Sequence, residues 1–145
     1  MLEVALYRAD EPLSDSVLQR VRIPMIRRCR LAWDGGVLET FVVDLGLTGI
    51  FVEHPSEIPV GTRVEMRFCL PGNDLPLSMV CRVAWWRAAD APGASRFLPA
   101  GVGLEFTDVS DTDRARVREC ILDYMRRDAG TRRFVRHGVG EEGGS

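Results

Sequence analysis

Residues 62–70 read Thr62-Arg63-Val64-Glu65-Met66-Arg67-Phe68-Cys69-Leu70. Charged and apolar side chains alternate from Arg63 to Phe68, the two-residue period of a strand with one wet and one dry face. The stretch predicts Val64, Met66, Phe68 and Leu70 inward and Arg63, Glu65 and Arg67 outward. Pro71-Gly72-Asn73-Asp74 then supplies a turn, and Leu77 to Arg87 the next strand. Ala100 to Thr107 is another, joined to it by a loop rich in Ala, Asp, Pro and Gly.

Upstream the same grammar holds. Met25 to Trp33 reads as a strand, Asp34-Gly35-Gly36 as a tight hairpin turn, and Val37 to Asp44 as its return. In the return, Leu38, Thr40 and Val42 share one face, and Val37, Glu39, Phe41 and Val43 the other. Leu45 to Gly49 is a glycine-bearing turn before a short strand, Ile50 to Glu53, and Pro55 to Gly61 is a loop. Short strands separated by turn signals at this spacing predict an all-β barrel or sandwich.

Near the end the period changes. Val117, Cys120, Ile121, Tyr124 and Met125 form a stripe at helical spacing. Ser110 stands three before Asp113, a capping-box-like start, and Gly130 is a natural stop. One amphipathic helix is predicted over about 111–128, covering an open end of the barrel. The core should contain Val64, Met66, Phe68, Val83, Leu104 and Phe106, with Val117, Ile121 and Tyr124 packed on it. Residues 1–19 read as an N-terminal arm with a short helix from Ser14 to Gln19, residues 20–128 as the domain, and residues 129–145 as a disordered tail.

The 145-residue chain has the length of one domain. With 46% hydrophobic residues it can bury a real core without disulfides or a structural metal. No apolar run approaches a membrane span, and the first residues lack the pattern of a secretory signal, so the expected address is the cytoplasm. A formal charge of −2 argues against DNA or RNA as partner, because phosphate neutralisation needs a basic excess. All 19 basic residues are Arg, so every cation is a planar fork suited to carboxylate or phosphate. Cys29, Cys69, Cys81 and Cys120 form no C-x-x-C pair and read as buried free thiols.

Catalysis has little to stand on. The two histidines, His54 and His137, lie far apart, and no nucleophile elbow, phosphate-binding loop or zinc-protease motif occurs. The chain is expected to be no enzyme and to hold no metal or cofactor. One constellation does suggest ligand reading: arginines leading into the first strand, then Asp44-Leu45-Gly46-Leu47-Thr48-Gly49 after the second. An acidic side chain at a barrel lip can accept two hydrogen bonds from a guanine edge, and arginines can pair phosphates bidentately. Glycines there let a base approach the backbone.

Several short motifs occur in one order: Arg22-Ile23-Pro24, Asp44 to Gly49 followed by Ile50-Phe51-Val52, Arg82-Val83-Ala84-Trp85, and Gly103-Leu104-Glu105-Phe106 before the helix. Together they resemble a PilZ domain over roughly residues 20–128. The resemblance implies a six-stranded antiparallel barrel with a C-terminal helix, and a bacterial signalling protein that binds cyclic di-GMP. Binding members of the family are similar to Arg-x-x-x-Arg in the arm, then Asp/Asn-x-Ser-x-x-Gly after the second strand. Arg22, Asp44 and Gly49 match. Leu18 stands where the first arginine belongs, with Arg20 the nearest replacement, and Gly46 stands at the serine position.

The resemblance therefore implies a ligand site of Arg20, Arg22, Asp44, Gly46 and Gly49, lacking one phosphate ligand and one hydroxyl. It also implies a regulator of a protein partner in motility, pilus or envelope processes, with cyclic di-GMP binding weakened or lost. The alternative is a working receptor built on Arg20, Arg22 and Asp44. Arg27 and Arg30, on opposite faces of the first strand, cannot both supplement such a site. Arg22 and Asp44 are expected at the surface, and Leu18→Arg with Gly46→Ser is expected to restore binding if the backbone at Gly46 needs no positive φ. Trp85 and Trp86, being adjacent, must point to opposite faces; the helix is expected to cover the outward one, failing which it becomes an interface anchor.

Overall fold

The computed structural model describes residues 15–88 and 99–127. A short helix α1 (Asp15–Leu18) is followed by β1 (Arg22–Trp33), β2 (Gly36–Gly46) and β3 (Gly49–Glu53). Next come β4 (Arg63–Phe68), β5 (Leu77–Arg87), β6 (Gly101–Asp108) and the helix α2 (Asp111–Arg127). The strands close into an antiparallel barrel in the order β1-β2-β3-β6-β5-β4. This is the predicted all-β barrel with one C-terminal helix. The predicted tail, His137, the arm before Asp15 and most of the loop between β5 and β6 lie outside the described residues.

Alternation builds the core as expected. In β4 each inward residue is buried and each outward one exposed, with Val64, Met66 and Phe68 at 3% exposure or less. Val83 and Leu104 join them, and Phe106 packs on the same core while staying partly exposed. Bulges interrupt the period between Pro24 and Arg27 on β1 and between Val42 and Asp44 on β2. An extra residue re-aims everything after it. The second bulge leaves Val42 and Leu45 inside and turns Asp44 to the outer face, opposite Phe51 of β3. The β2–β3 turn is also tighter than the sequence suggested, since the strands run on to Gly46 and resume at Gly49.

The Ser110 hydroxyl accepts the Asp113 amide at 3.0 Å, the expected cap of α2. Arg116 then donates to the Leu75 and Pro76 carbonyls and pairs with Asp113 at 3.0 Å, which fastens the helix to the β4–β5 connection. Val117, Ile121, Leu122 and Met125 are buried beneath α2, and Tyr124 is partly buried against the core. Val17, Leu18 and Val21, which lead into β1, are buried in the same core. Cys29 and Cys81 are buried thiols pushed up to about 12 by burial, whereas Cys69 and Cys120 are only half-buried, contrary to the sequence reading. Among the described residues no helix is long and apolar enough to cross a membrane.

Candidate functional site

Arg22 opens β1 and Asp44 lies near the end of β2, where the antiparallel register sets Arg22 opposite Gly46 and Pro24 opposite Asp44. The bulge that turns Asp44 outward brings its carboxylate under the Arg22 guanidinium. Nε donates to Asp44 Oδ1 at 2.8 Å and Nη2 to the same oxygen. The partners differ in solvent access: the Arg22 side chain is 28% exposed, that of Asp44 only 4%. Burial pushes the Asp44 carboxyl above the usual carboxylate range, and the Arg22 charge and hydrogen bonds only partly offset it.

The expectation that both residues sit at the surface therefore fails for Asp44. Its outward position is roofed by the arginine, so the pair has a buried anion and a cation with a path to water.

Gly46 and Gly49 lie beneath that arginine. A Cβ built on Gly46 would stand 3.3 Å from Arg22 Nη1 and 3.4 Å from its Cδ. Gly46 has no positive φ, so a serine there meets the flexible Arg22 side chain, and the Val21 carbonyl oxygen at 3.4 Å, an ordinary contact. Gly49 is different. A Cβ on it would come 2.6 Å from the Leu104 carbonyl oxygen, so close strand packing requires glycine. Glu105, opposite Gly49 on β6, is engaged by Arg82 of β5.

The structure thus brings Arg22, Asp44, Gly46 and Gly49 together. Arg20 is exposed after α1, with its Nε donating to the Ser16 carbonyl at 3.5 Å. Leu18, the position of the absent first arginine, is fully buried in the core. An arginine there would have to carry its charge into the apolar interior, which argues against the expected rescue by Leu18→Arg with Gly46→Ser. Arg27 is committed elsewhere, donating to the Cys69 carbonyl at 3.0 Å and the Leu70 carbonyl at 3.5 Å. His54 is buried edge-on against Trp33, its Nδ1 bonded to the Ser56 carbonyl, which is a packing role. Among the described residues no group of three or more His, Cys, Asp or Glu side chains could hold a metal ion.

One part of this surface escaped the sequence reading. The register carries a line across the outer face from Asp44 to Phe51, Gly103 and Trp85. Trp85 stacks on Phe51 with ring centroids 5.0 Å apart and an 11° angle between planes. A Cβ on Gly103 would collide with the Trp85 indole, so bare backbone lets the ring lie against the sheet. The surface the structure provides for Trp85 is this shelf, and not the helix expected to cover it, while Trp86 packs on the core. Trp85 stays half-buried, on β5, three strands round the closed barrel from Asp44 of β2. The signal was present as Gly101-x-Gly103 beside Trp85 in the barrel order, but only pairing reveals that they touch.

Comparison with known proteins gives a consistent picture. The PilZ domain family profile matches residues 18–123. No curated protein matches the chain. The Bacillus subtilis inhibitor of motility MotI/DgrA superposes with a TM-score of 0.60 at 14% identity, over 72% of this chain and 50% of that one. Escherichia coli YcgR in complex with c-di-GMP gives 0.59 at 18% identity, over 79% of this chain and 49% of that one. The PilZ domain of YcgR with c-di-GMP gives 0.55 at 16%, over 76% and 92%. The chain spans about half the length of the MotI and whole YcgR structures, so the likeness is one of domain fold. With its barrel order, its capping helix and a profile match over most of its length, the chain belongs to the PilZ domain family.

Proposed function

We propose that this chain is a non-catalytic PilZ-type regulator acting in the cytoplasm on a protein partner, and that it binds cyclic di-GMP only weakly. The observation that carries the reading is the burial of Leu18 four residues before Arg22. The position that would supply a second phosphate ligand belongs to the core, and Gly46 offers no hydroxyl. Losing one charge-assisted and one neutral hydrogen bond costs about 2–4.5 kcal/mol, or roughly thirty-fold to two-thousand-fold in affinity.

What remains still has the chemistry for a guanine nucleotide. When a phosphate takes the Arg22 fork, Asp44 is released to accept from a guanine edge, and Gly49 leaves the backbone open. The Arg22–Asp44 ion pair competes with this exchange, a further reason for weak binding. MotI is described as an inhibitor of motility, which supports a motility-type role by analogy, and YcgR was solved with c-di-GMP, which supports nucleotide signalling by analogy.

The second reading, a fully working receptor, is favoured by the assembled Arg22, Asp44 and Gly49 with Arg20 close by in sequence. Calorimetric titration with cyclic di-GMP separates the two. A dissociation constant weaker than micromolar fits the regulator reading, and a sub-micromolar one fits the receptor.

A further inference from the structure

We propose that the outer face around Arg30 and Arg67 is a docking surface for an acidic segment of a protein partner that also carries apolar side chains. Arg30 of β1 and Arg67 of β4 are direct partners in the ladder that closes the barrel. Both are exposed and point outward, since Cys29, Leu31, Met66 and Phe68 beside them are buried. Like charges directly opposed on a sheet destabilise it. Glu39 stands opposite Arg30 on the β2 side, but its ion pair is with Arg28 at 3.6 Å, and Glu65 pairs with Arg63 at 2.8 Å, so neither carboxylate is bonded to Arg30 or Arg67. Among the described residues neither Arg30 nor Arg67 has a hydrogen-bond or ion-pair partner.

Apolar surface adjoins this charge. Ile26 is 73% exposed and Phe41 41%, and the Arg28 guanidinium lies 5.6 Å from the Phe41 ring centroid. A groove of about 520 Å³ holds Ile26 with Arg28, Arg30 and Arg67, and Glu39 is the one carboxylate among its lining residues. A second, of about 700 Å³, is lined again by Arg30 and Arg67, with Ser78 and the carboxylates of Glu65 and Asp108. The arginine pair is common to both.

Carboxylates match two adjacent planar forks, and Ile26 and Phe41 match apolar side chains on the same segment. A bare phosphate would leave both apolar residues uncovered. A nucleic-acid backbone or an anionic bilayer would press its regular charges against Glu39 and Glu65 on the same face. The inference rests on the reading that the chain regulates a protein partner, and not on nucleotide binding.

The test is fluorescence anisotropy of a labelled synthetic peptide of alternating acidic and leucine residues, titrated with the full chain, beside its lysine–leucine counterpart. The acidic peptide should bind saturably and more weakly as salt rises, and the basic one should not bind. Arg30→Glu with Arg67→Glu should weaken binding at least about tenfold, and Ile26→Ser with Phe41→Ser about tenfold. Cyclic di-GMP affinity should stay unchanged in both. The single Arg67→Glu should raise the melting temperature, because it turns a repelling pair into an attracting one, which guards against misfolding as the cause. Retained peptide binding in a chain that binds no cyclic di-GMP supports the inference and removes only the nucleotide reading. It is overturned by no binding of the acidic peptide, or by binding indifferent to charge reversal. Arginine-dependent binding of inorganic phosphate or phosphatidylserine vesicles without the peptide overturns it too, as does a homodimer that charge reversal dissociates.

Discussion

The Arg22 guanidinium clasps one oxygen of Asp44 through both Nε and Nη2, and seals a carboxylate that is itself only 4% exposed. On the proposed reading, pair and ligand site are the same two residues, which couples stability to binding. The pair itself is asymmetric, because the cation can reach water and the anion cannot.

Arg22→Ala should destabilise more than Asp44→Asn. Removing the arginine strands a buried carboxylate, which costs about 2–4 kcal/mol, somewhat below the 3–5 of a fully enclosed pair. Asp44→Asn keeps a carbonyl oxygen for an arginine that can also turn to solvent, and costs about 1 kcal/mol. Urea unfolding of both variants at neutral pH checks the order; equal losses would mean that Asp44 is wetter than its burial implies.

The pH profile follows from the raised Asp44 pKa. A carboxyl whose folded pKa exceeds its unfolded one holds its proton longer in the native state. Its contribution to stability is thus greatest in acid and is lost as pH rises from roughly 4 through the raised value. The stability of the wild-type chain relative to Asp44→Asn should fall over that window and then level off. A difference that grew with pH would mean that Arg22 outweighs burial.

Leu18→Arg should fail as a rescue. It places a charge at a position with no solvent exposure and should cost at least about 3 kcal/mol, enough to lower the melting temperature of a domain this size by roughly 10 °C or more. Gly46→Ser should fold, since its closest neighbour is the flexible end of Arg22 and the Val21 carbonyl oxygen stands at an ordinary 3.4 Å. Thermal melts of the two single variants distinguish this from an arm free at the surface, for which both would melt near the wild type.

Much of the fold was legible because strand alternation is local. Arg63 to Phe68 announces its two faces residue by residue, and Ser110 with Asp113 announces the start of α2. The site was half legible. Arg22, Asp44 and Gly49 could be named from the resemblance to the PilZ motifs, but the bulge between Val42 and Asp44 could not. That bulge decides that Asp44 faces outward beneath the arginine. Leu18 misled for a related reason: the sequence around it looks like a polar arm, and only the packing of Val17, Leu18 and Val21 into the barrel makes it core. The Phe51–Trp85 shelf depends on register across strands far apart in sequence, which no local pattern carries.

Calorimetric titration of cyclic di-GMP into the wild-type chain and Asp44→Ala, side by side, tests the central claim most directly. The account expects saturable wild-type binding weaker than micromolar, and a further loss of about tenfold to a hundredfold in the variant, the loss of a charge-assisted acceptor. Sub-micromolar binding by the wild type, or equal binding by the two proteins, would contradict it.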